Sequence, residues 1–253
     1  MERVSILGCG WLGFDLAKHL LEEGFHVKGS TTNIEKVSRL EESGIKAHVI
    51  DISSETTSFK EFLNADALVI AITSKDMDAF KSLVEKIETS TIKKVLFISS
   101  TSVYPSLNRE VYEEDADENI PLTKIEKLFQ DSSKFEITVL RFAGLYGYDR
   151  HPGNWFSNKR IPYPDGFVNM IHQDDCIAII TQILKENIWN ETFNACANHH
   201  PTREEFYVNA RLSIKKEPPV FDDSLELKYK IINADKLIQK LNYQFIHNNL
   251  LAI

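Results

Sequence analysis

Residues 4–13, VSILGCGWLG, set three glycines between an apolar run and an amphipathic one. Val4 to Leu7 reads as a short buried strand, and Leu12, Leu16, Leu20 and Leu21 follow at helical spacing. Gly8, Gly10 and Gly13 form a G-x-G-x-x-G at the junction. A strand that passes directly into a helix needs a tight turn, and a helix lying close to that strand leaves no room for a Cβ. The alternation then continues. Phe25 to Lys28, Ala47 to Ile50, Ala67 to Ile72, Val95 to Ile98 and Ile137 to Phe142 read as further strands, nearly continuously apolar, as strands covered on both faces are. Phe80, Leu83, Val84 and Ile87 mark an intervening helix. The pattern predicts an α/β fold, a Rossmann-type doubly wound parallel sheet with right-handed crossovers.

Within such a sheet the glycines acquire chemistry. Gly8 permits the turn, Gly10 lets a pyrophosphate approach the backbone, and Gly13 lets helix and strand close up. The helix N-terminus at Trp11 and Leu12 supplies N–H groups and partial positive charge. Cys9 fits this loop as a small residue. At the end of the second strand an NAD site usually carries Asp or Glu, whereas this chain has Gly29-Ser30-Thr31-Thr32-Asn33 and no carboxylate before Glu35. The hydroxyls of Ser30, Thr31 and Thr32, with Lys36, suit a 2′-phosphate, which favours NADP over NAD. Asp51, after the third strand, either accepts a hydrogen bond from adenine or caps its own loop.

After Gly147 the texture changes. Residues 148–169 are rich in Pro, Gly, Asn and aromatics and read as a long ordered loop. Asp174 and Asp175 then open a helix carrying Ile177, Ile180, Ile183 and Leu184, and further helices are predicted over Thr202 to Arg211 and Ala234 to Leu241. The division expected is a dinucleotide-binding domain over 1–147 and a smaller α/β part over 148–253 that covers substrate. The acidic stretch Glu110 to Asn119 reads as a solvated connection. Three scattered cysteines supply neither a disulfide framework nor a zinc site, so no metal is expected. A net charge of −8 argues against nucleic acid, and no segment is long and apolar enough for a membrane span or signal peptide. A cytoplasmic protein acting on a small molecule is expected.

Residues 98–105, ISSTSVYP, end the fifth strand in a cluster of hydroxyls. Together ILGCGWLG, ISSTSVYP, LRFAGLYG and NMIHQDD occur in the order and spacing of the extended short-chain dehydrogenase/reductases. The chain resembles the NAD-dependent epimerase/dehydratase family, especially its compact atypical branch with a GxGWLG loop, and NADKLIQKLNYQF resembles that family's ending. The resemblance implies that Ser100 faces substrate and hydrogen-bonds the oxygen whose charge changes during hydride transfer, with Ser99 beside the cofactor; the other reading of Ser100 is a strand-end cap. It also places Arg141 and the turn from Ala143 to Gly147 near the nicotinamide, and gives His172 and Asp175 structural roles, holding a loop and capping a helix. Relatives often pair through helices, so a homodimer is an expectation by analogy.

Three departures from the family qualify this. Thr101 and Ser102 stand where dehydratases carry acid/base carboxylates. The family's Tyr-x-x-x-Lys is absent: residues 121–129, PLTKIEKLF, contain no Tyr, and no tyrosine of the chain has Lys four positions later. Lys124 and Lys127 read as solvent-facing charges, and the proton donor would be Tyr104, Tyr146, a lysine or water. Gly144 replaces the Asn common in nucleotide-sugar enzymes, and Arg150, His151, Lys159 and Arg160 could bind an anionic substrate or lie on an ordinary surface. Two functions follow. One is an NAD(P)-binding oxidoreductase or epimerase/dehydratase-like enzyme for a small carbonyl or hydroxyl compound; the other is an inactive NADP-binding sensor or regulatory protein.

Overall fold

A computed structural model describes residues 2–54, 56–156 and 159–253. Two residues of the long loop expected over 148–169, Ser157 and Asn158, lie outside the described residues. Seven strands form the main sheet: β1 (Arg3–Leu7), β2 (His26–Thr31), β3 (Lys46–Val49), β4 (Ala67–Ile70), β5 (Lys94–Ser100), β6 (Glu136–Phe142) and β7 (Thr192–Ala195). Their order is β7-β6-β5-β4-β1-β2-β3, a parallel sheet. The strand order reverses between β1 and β4, where doubly wound sheets open their ligand crevice. Six strands were legible from sequence. The seventh, TFNA, is short and half polar, and Val139 holds its approach by donating its N–H to Glu191 O at 2.9 Å.

Among the described residues five helices connect these strands, α1 (Trp11–Glu22), α2 (Val37–Glu42), α3 (Met77–Glu88), α4 (Pro121–Gln130) and α5 (Gln173–Glu186), and two more, α6 (Arg203–Ser213) and α7 (Asp235–Leu241), follow β7. Asp76 caps α3, its carboxylate accepting from the N–H groups of Asp78 and Ala79. The apolar stripes of α3 and α4 bury Phe80 and Phe129 against Phe97 of β5; Phe97 and Phe129 stack at 5.1 Å, and Phe80 meets each edge-on at 6.0 Å. None of these helices is long and apolar enough to cross a membrane.

Contacts divide the chain into two compact units, Met1–Ser99 with Glu118–Leu140 and Ile180–Thr192, and Ser100–Asp117 with Arg141–Ile179 and Phe193–Ile253. The chain thus passes between the units repeatedly, where a single boundary at Gly147 was expected. In the second unit short parallel ladders join Gly144–Tyr146 to Met170–His172, Ile161–Pro162 to Phe221–Asp222, and Glu110–Val111 to Ile231–Ile232. The last of these corrects the reading of 110–119 as a solvated connection. Val111 is fully buried there, and Arg109 is paired with Asp115 at 2.6 Å.

Candidate functional site

The β1–α1 turn is closed by its own backbone and by β2. Gly8 has φ +100°, and a Cβ on it would come within 2.6 Å of both Ala71 O and Ile72 Cγ2. A Cβ on Gly13 would stand 2.1 Å from Gly8 O, so the helix sits on the loop itself. Gly10 is different: nothing lies within 4 Å of a Cβ built there, and no side chain caps α1 behind it. Glycine at this place keeps open space in front of an uncapped helix N-terminus, which fits a pyrophosphate. Trp11 and Leu12 open the helix; the Leu12 side chain is buried, leaving its backbone as the group that can face an anion. The Cys9 thiol, pushed up to about 12 by burial, is unreactive and simply fills the space in front of Gly29.

Ser30 braces this loop from β2. Its Oγ accepts the Gly8 N–H at 2.9 Å, and its carbonyl accepts the Cys9 N–H at 2.7 Å. That corrects the expectation of a hydroxyl turned to a 2′-phosphate, because Ser30 is buried and its oxygen is engaged by the loop. Thr31 is also buried, and its Oγ1 accepts the Asn33 N–H at 3.1 Å. Thr32 and Lys36 are exposed, and Asn33 caps the following turn by accepting the Glu35 N–H. Sequence reasoning stopped short of Arg39, whose guanidinium lies 4.2 Å over the Phe14 ring of α1. Asp51 accepts the Ser53 N–H at 2.9 Å, the capping role that was one of its two readings.

At the end of β5, Ser99 is buried and donates to Glu126 of α4, a carboxylate only 1% exposed. Three residues before Glu126 stands Thr123, whose Oγ1 is buried and has no hydrogen-bond partner among the described residues. Thr123 and Lys127 keep the four-residue spacing of the expected Tyr-x-x-x-Lys; a search for tyrosine missed them.

Ser100 is half-buried, and its Oγ accepts the Ser102 N–H at 3.1 Å, capping the turn Thr101–Val103. Capping occupies an acceptor lone pair and leaves the O–H proton to donate elsewhere. The turn is clamped from far along the chain: Lys230 Nζ donates to Thr101 O at 2.9 Å and to Tyr104 O at 2.5 Å.

Neither tyrosine is placed as a proton donor. Tyr104 is 3% exposed; its OH donates to Asn194 Oδ1 at 2.6 Å and accepts from Arg141 Nη1 at 2.7 Å. Arg141 also donates to Glu113 O, so Tyr104 joins a buried framework in place of the catalytic role expected of it. Tyr146 is buried against the edge of His172, and burial with the Asp175 and Asp174 charges pushes its phenol far above the usual value, away from acid catalysis near neutrality. His172 and Asp175 serve the fold in exchanged roles. The His172 ring accepts the Asp174 N–H at the start of α5, while Asp175 accepts from Tyr243 OH and from the N–H groups of Ile246 and His247. Of the basic loop, His151 accepts the Gly153 N–H, and Lys159 and Arg160 are exposed.

Comparison with known proteins agrees with this geometry. The family described as NAD(P)H-binding matches residues 8–186. Protein YeeZ of Escherichia coli strain K12 is 31% identical over 263 aligned residues, covering 97% of this chain and 96% of that protein. Among solved structures, a functionally unknown conserved protein from Silicibacter pomeroyi superposes with a TM-score of 0.83 at 18% identity, covering 99% of this chain and 96% of that one. A UDP-glucuronic acid 4-epimerase from Bacillus cereus, in complex with UDP-glucuronic acid and NAD, gives 0.79 at 19%, covering 98% and 95%. A putative NAD-dependent epimerase/dehydratase from Methylobacillus flagellatus gives 0.77 at 20%, covering 99% and 95%. At these identities the structural likeness is one of fold.

Proposed function

Because the chain belongs to the NAD(P)H-binding family, we propose that it is a nicotinamide-dependent oxidoreductase or epimerase/dehydratase-like enzyme of the compact GxGWLG branch, acting on a small carbonyl or hydroxyl compound. The observation that carries this reading is Ser100: a half-exposed hydroxyl at a strand's carboxyl end, oriented by the Ser102 N–H on a turn clamped by Lys230. Ser100 keeps a proton to donate to a substrate oxygen, strengthening its hydrogen bond as negative charge develops there. A nicotinamide cofactor held by the β1–α1 turn would supply the hydride exchange. Gly8, Gly10 and Gly13 shape the pyrophosphate cradle, and exposed Thr32, Lys36 and Arg39 favour NADP by offering donors to a 2′-phosphate.

Thr123 stands on α4 at the spacing from Ser100 and Lys127 that the tyrosine would have. A threonine hydroxyl is too weak an acid to replace a phenol, and the Thr123 oxygen is buried, so it does not take over the proton transfer of the missing tyrosine. The sequestering of Tyr104 and Tyr146 favours the second reading, a sensor that binds NADP without turnover. A panel of small carbonyl compounds with NADPH separates the two. Turnover that falls at least roughly tenfold, about 1.4 kcal/mol, in Ser100→Ala supports the enzyme. Turnover unchanged by that substitution removes Ser100 from the mechanism, and cofactor binding with no turnover on any compound supports the sensor.

A further inference from the structure

Two histidines far apart in sequence meet one aspartate at the N-terminus of α5. Asp174 Oδ2 lies 3.3 Å from His172 Nδ1 and 2.9 Å from His247 Nε2, and the three donor atoms all fall within 4.8 Å of one another. Two ligands on a tetrahedral zinc ion, each at about 2.0–2.1 Å, stand roughly 3.3 Å apart. The His172–Asp174 spacing equals this, and the His247–Asp174 spacing of 2.9 Å would open slightly to admit an ion. The imidazole rings are tilted by 34° with centroids 3.7 Å apart.

The arrangement is preset by neighbours that are not ligands. Tyr148 OH donates to Asp174 Oδ1 at 2.8 Å, engaging one carboxylate oxygen while the other faces both imidazoles. Asp175 accepts the N–H groups of Ile246 and His247 at 2.7 and 3.0 Å, tying down the segment that carries His247. Outer contacts of this kind fix ligand orientation in metal sites. His172 Nδ1 accepts the Asp174 N–H at 3.1 Å, and His247 Nε2 stands at hydrogen-bond distance, 2.9 Å, from Asp174 Oδ2. A bound ion would exchange these two hydrogen bonds for metal–ligand bonds, taking the Nδ1 lone pair from the Asp174 N–H. Access is open, because the side chains of Asp174 and His247 are 31% and 35% exposed.

We propose that His172, Asp174 and His247 bind a divalent transition-metal ion of the zinc class, with the remaining coordination position taken by water. Two imidazoles and one carboxylate suit Zn²⁺ or Co²⁺ over Mg²⁺ or Ca²⁺, which prefer all-oxygen sites. Bound there, the ion would fasten the C-terminal segment to the start of α5. His247 stands 73 residues beyond Asp174, so no ligand spacing along the chain marks the cluster.

The test titrates the full chain with Co²⁺, read by visible absorption, and with Zn²⁺, read by calorimetry and melting temperature. The expected result is one ion per chain, a tetrahedral Co²⁺ band displaced by Zn²⁺, and a melting temperature raised by Zn²⁺ and restored by a chelator. His247→Gln and Asp174→Asn should each weaken binding roughly tenfold or more, while His199→Gln should leave it unchanged. A missing Co²⁺ band with no heat from Zn²⁺ overturns the proposal. So does binding undiminished in His247→Gln and Asp174→Asn, or binding lost in His199→Gln. If either ligand variant fails to fold, the wild-type Co²⁺ spectrum and its displacement by Zn²⁺ still decide.

Discussion

The turn after β1 and the turn after β5 both end a buried parallel strand, yet they are held by opposite means. Between Gly8 and Gly13 the closure is steric and through backbone: a carbonyl at 2.1 Å from a would-be Cβ on Gly13, a left-handed Gly8 packed on Ala71, and the Ser30 brace from the adjacent strand. Between Ser100 and Tyr104 a local cap at Ser100 is joined by polar side chains, Lys230, Arg141 and Asn194, from three distant stretches of the chain. A turn fixed by sterics admits almost no other sequence, whereas a turn fixed by polar side chains can exchange its chemistry while the strand beneath stays the same.

The strongest way to break the first turn is Gly8→Val. A left-handed backbone costs a non-glycine residue about 1–3 kcal/mol, and its Cβ would also strike Ala71 O. Cofactor-induced stabilisation should vanish, and the melting temperature should fall; calorimetry with and without NADPH reads both. For the second turn, Tyr104→Phe removes the oxygen joining Arg141 to Asn194. The expected cost is about 1–3 kcal/mol in denaturant unfolding, with cofactor affinity kept. Lost turnover at unchanged stability would instead make Tyr104 the proton donor.

A smaller effect sharpens the cofactor assignment. Arg39→Ala should weaken NADPH roughly tenfold, about 1.4 kcal/mol, and leave NADH unaffected; equal losses would confine Arg39 to its stacking on Phe14. The smallest effect is in pH. Burial is the first cause that lowers His48, His151 and His200 below 6.5, so each binds a proton more readily when unfolded. Their contribution is complete above pH 6.5 and is lost as pH falls toward the folded values. The melting temperature should therefore decline from pH 7 to 5, and a flat profile would contradict this.

The same contrast explains what could be read in advance. The glycine loop and six strands were legible because each rests on neighbours in sequence: glycine spacing, apolar runs and helical periodicity. Strand β7 was not, because Thr192–Ala195 gains its place from β6 rather than from its own composition. The hydrogen bonds that hold Ser30 and Tyr104 could not be read in advance for a related reason. A hydroxyl's position in a strand or turn does not say whether a backbone N–H or a distant Arg will claim it. Thr123 escaped because spacing was tied to one residue type, and Arg39 because it lies beyond Lys36, in the helix after the strand-end cluster.

If the loop from Gly8 to Gly13 holds a nicotinamide dinucleotide, thermal unfolding with NADH and NADPH will show it. At a hundred times its dissociation constant a cofactor stabilises the folded chain by roughly 2.7 kcal/mol, so the melting temperature should rise clearly with NADPH and less with NADH at equal concentration. A melting curve that neither cofactor moves would contradict the account.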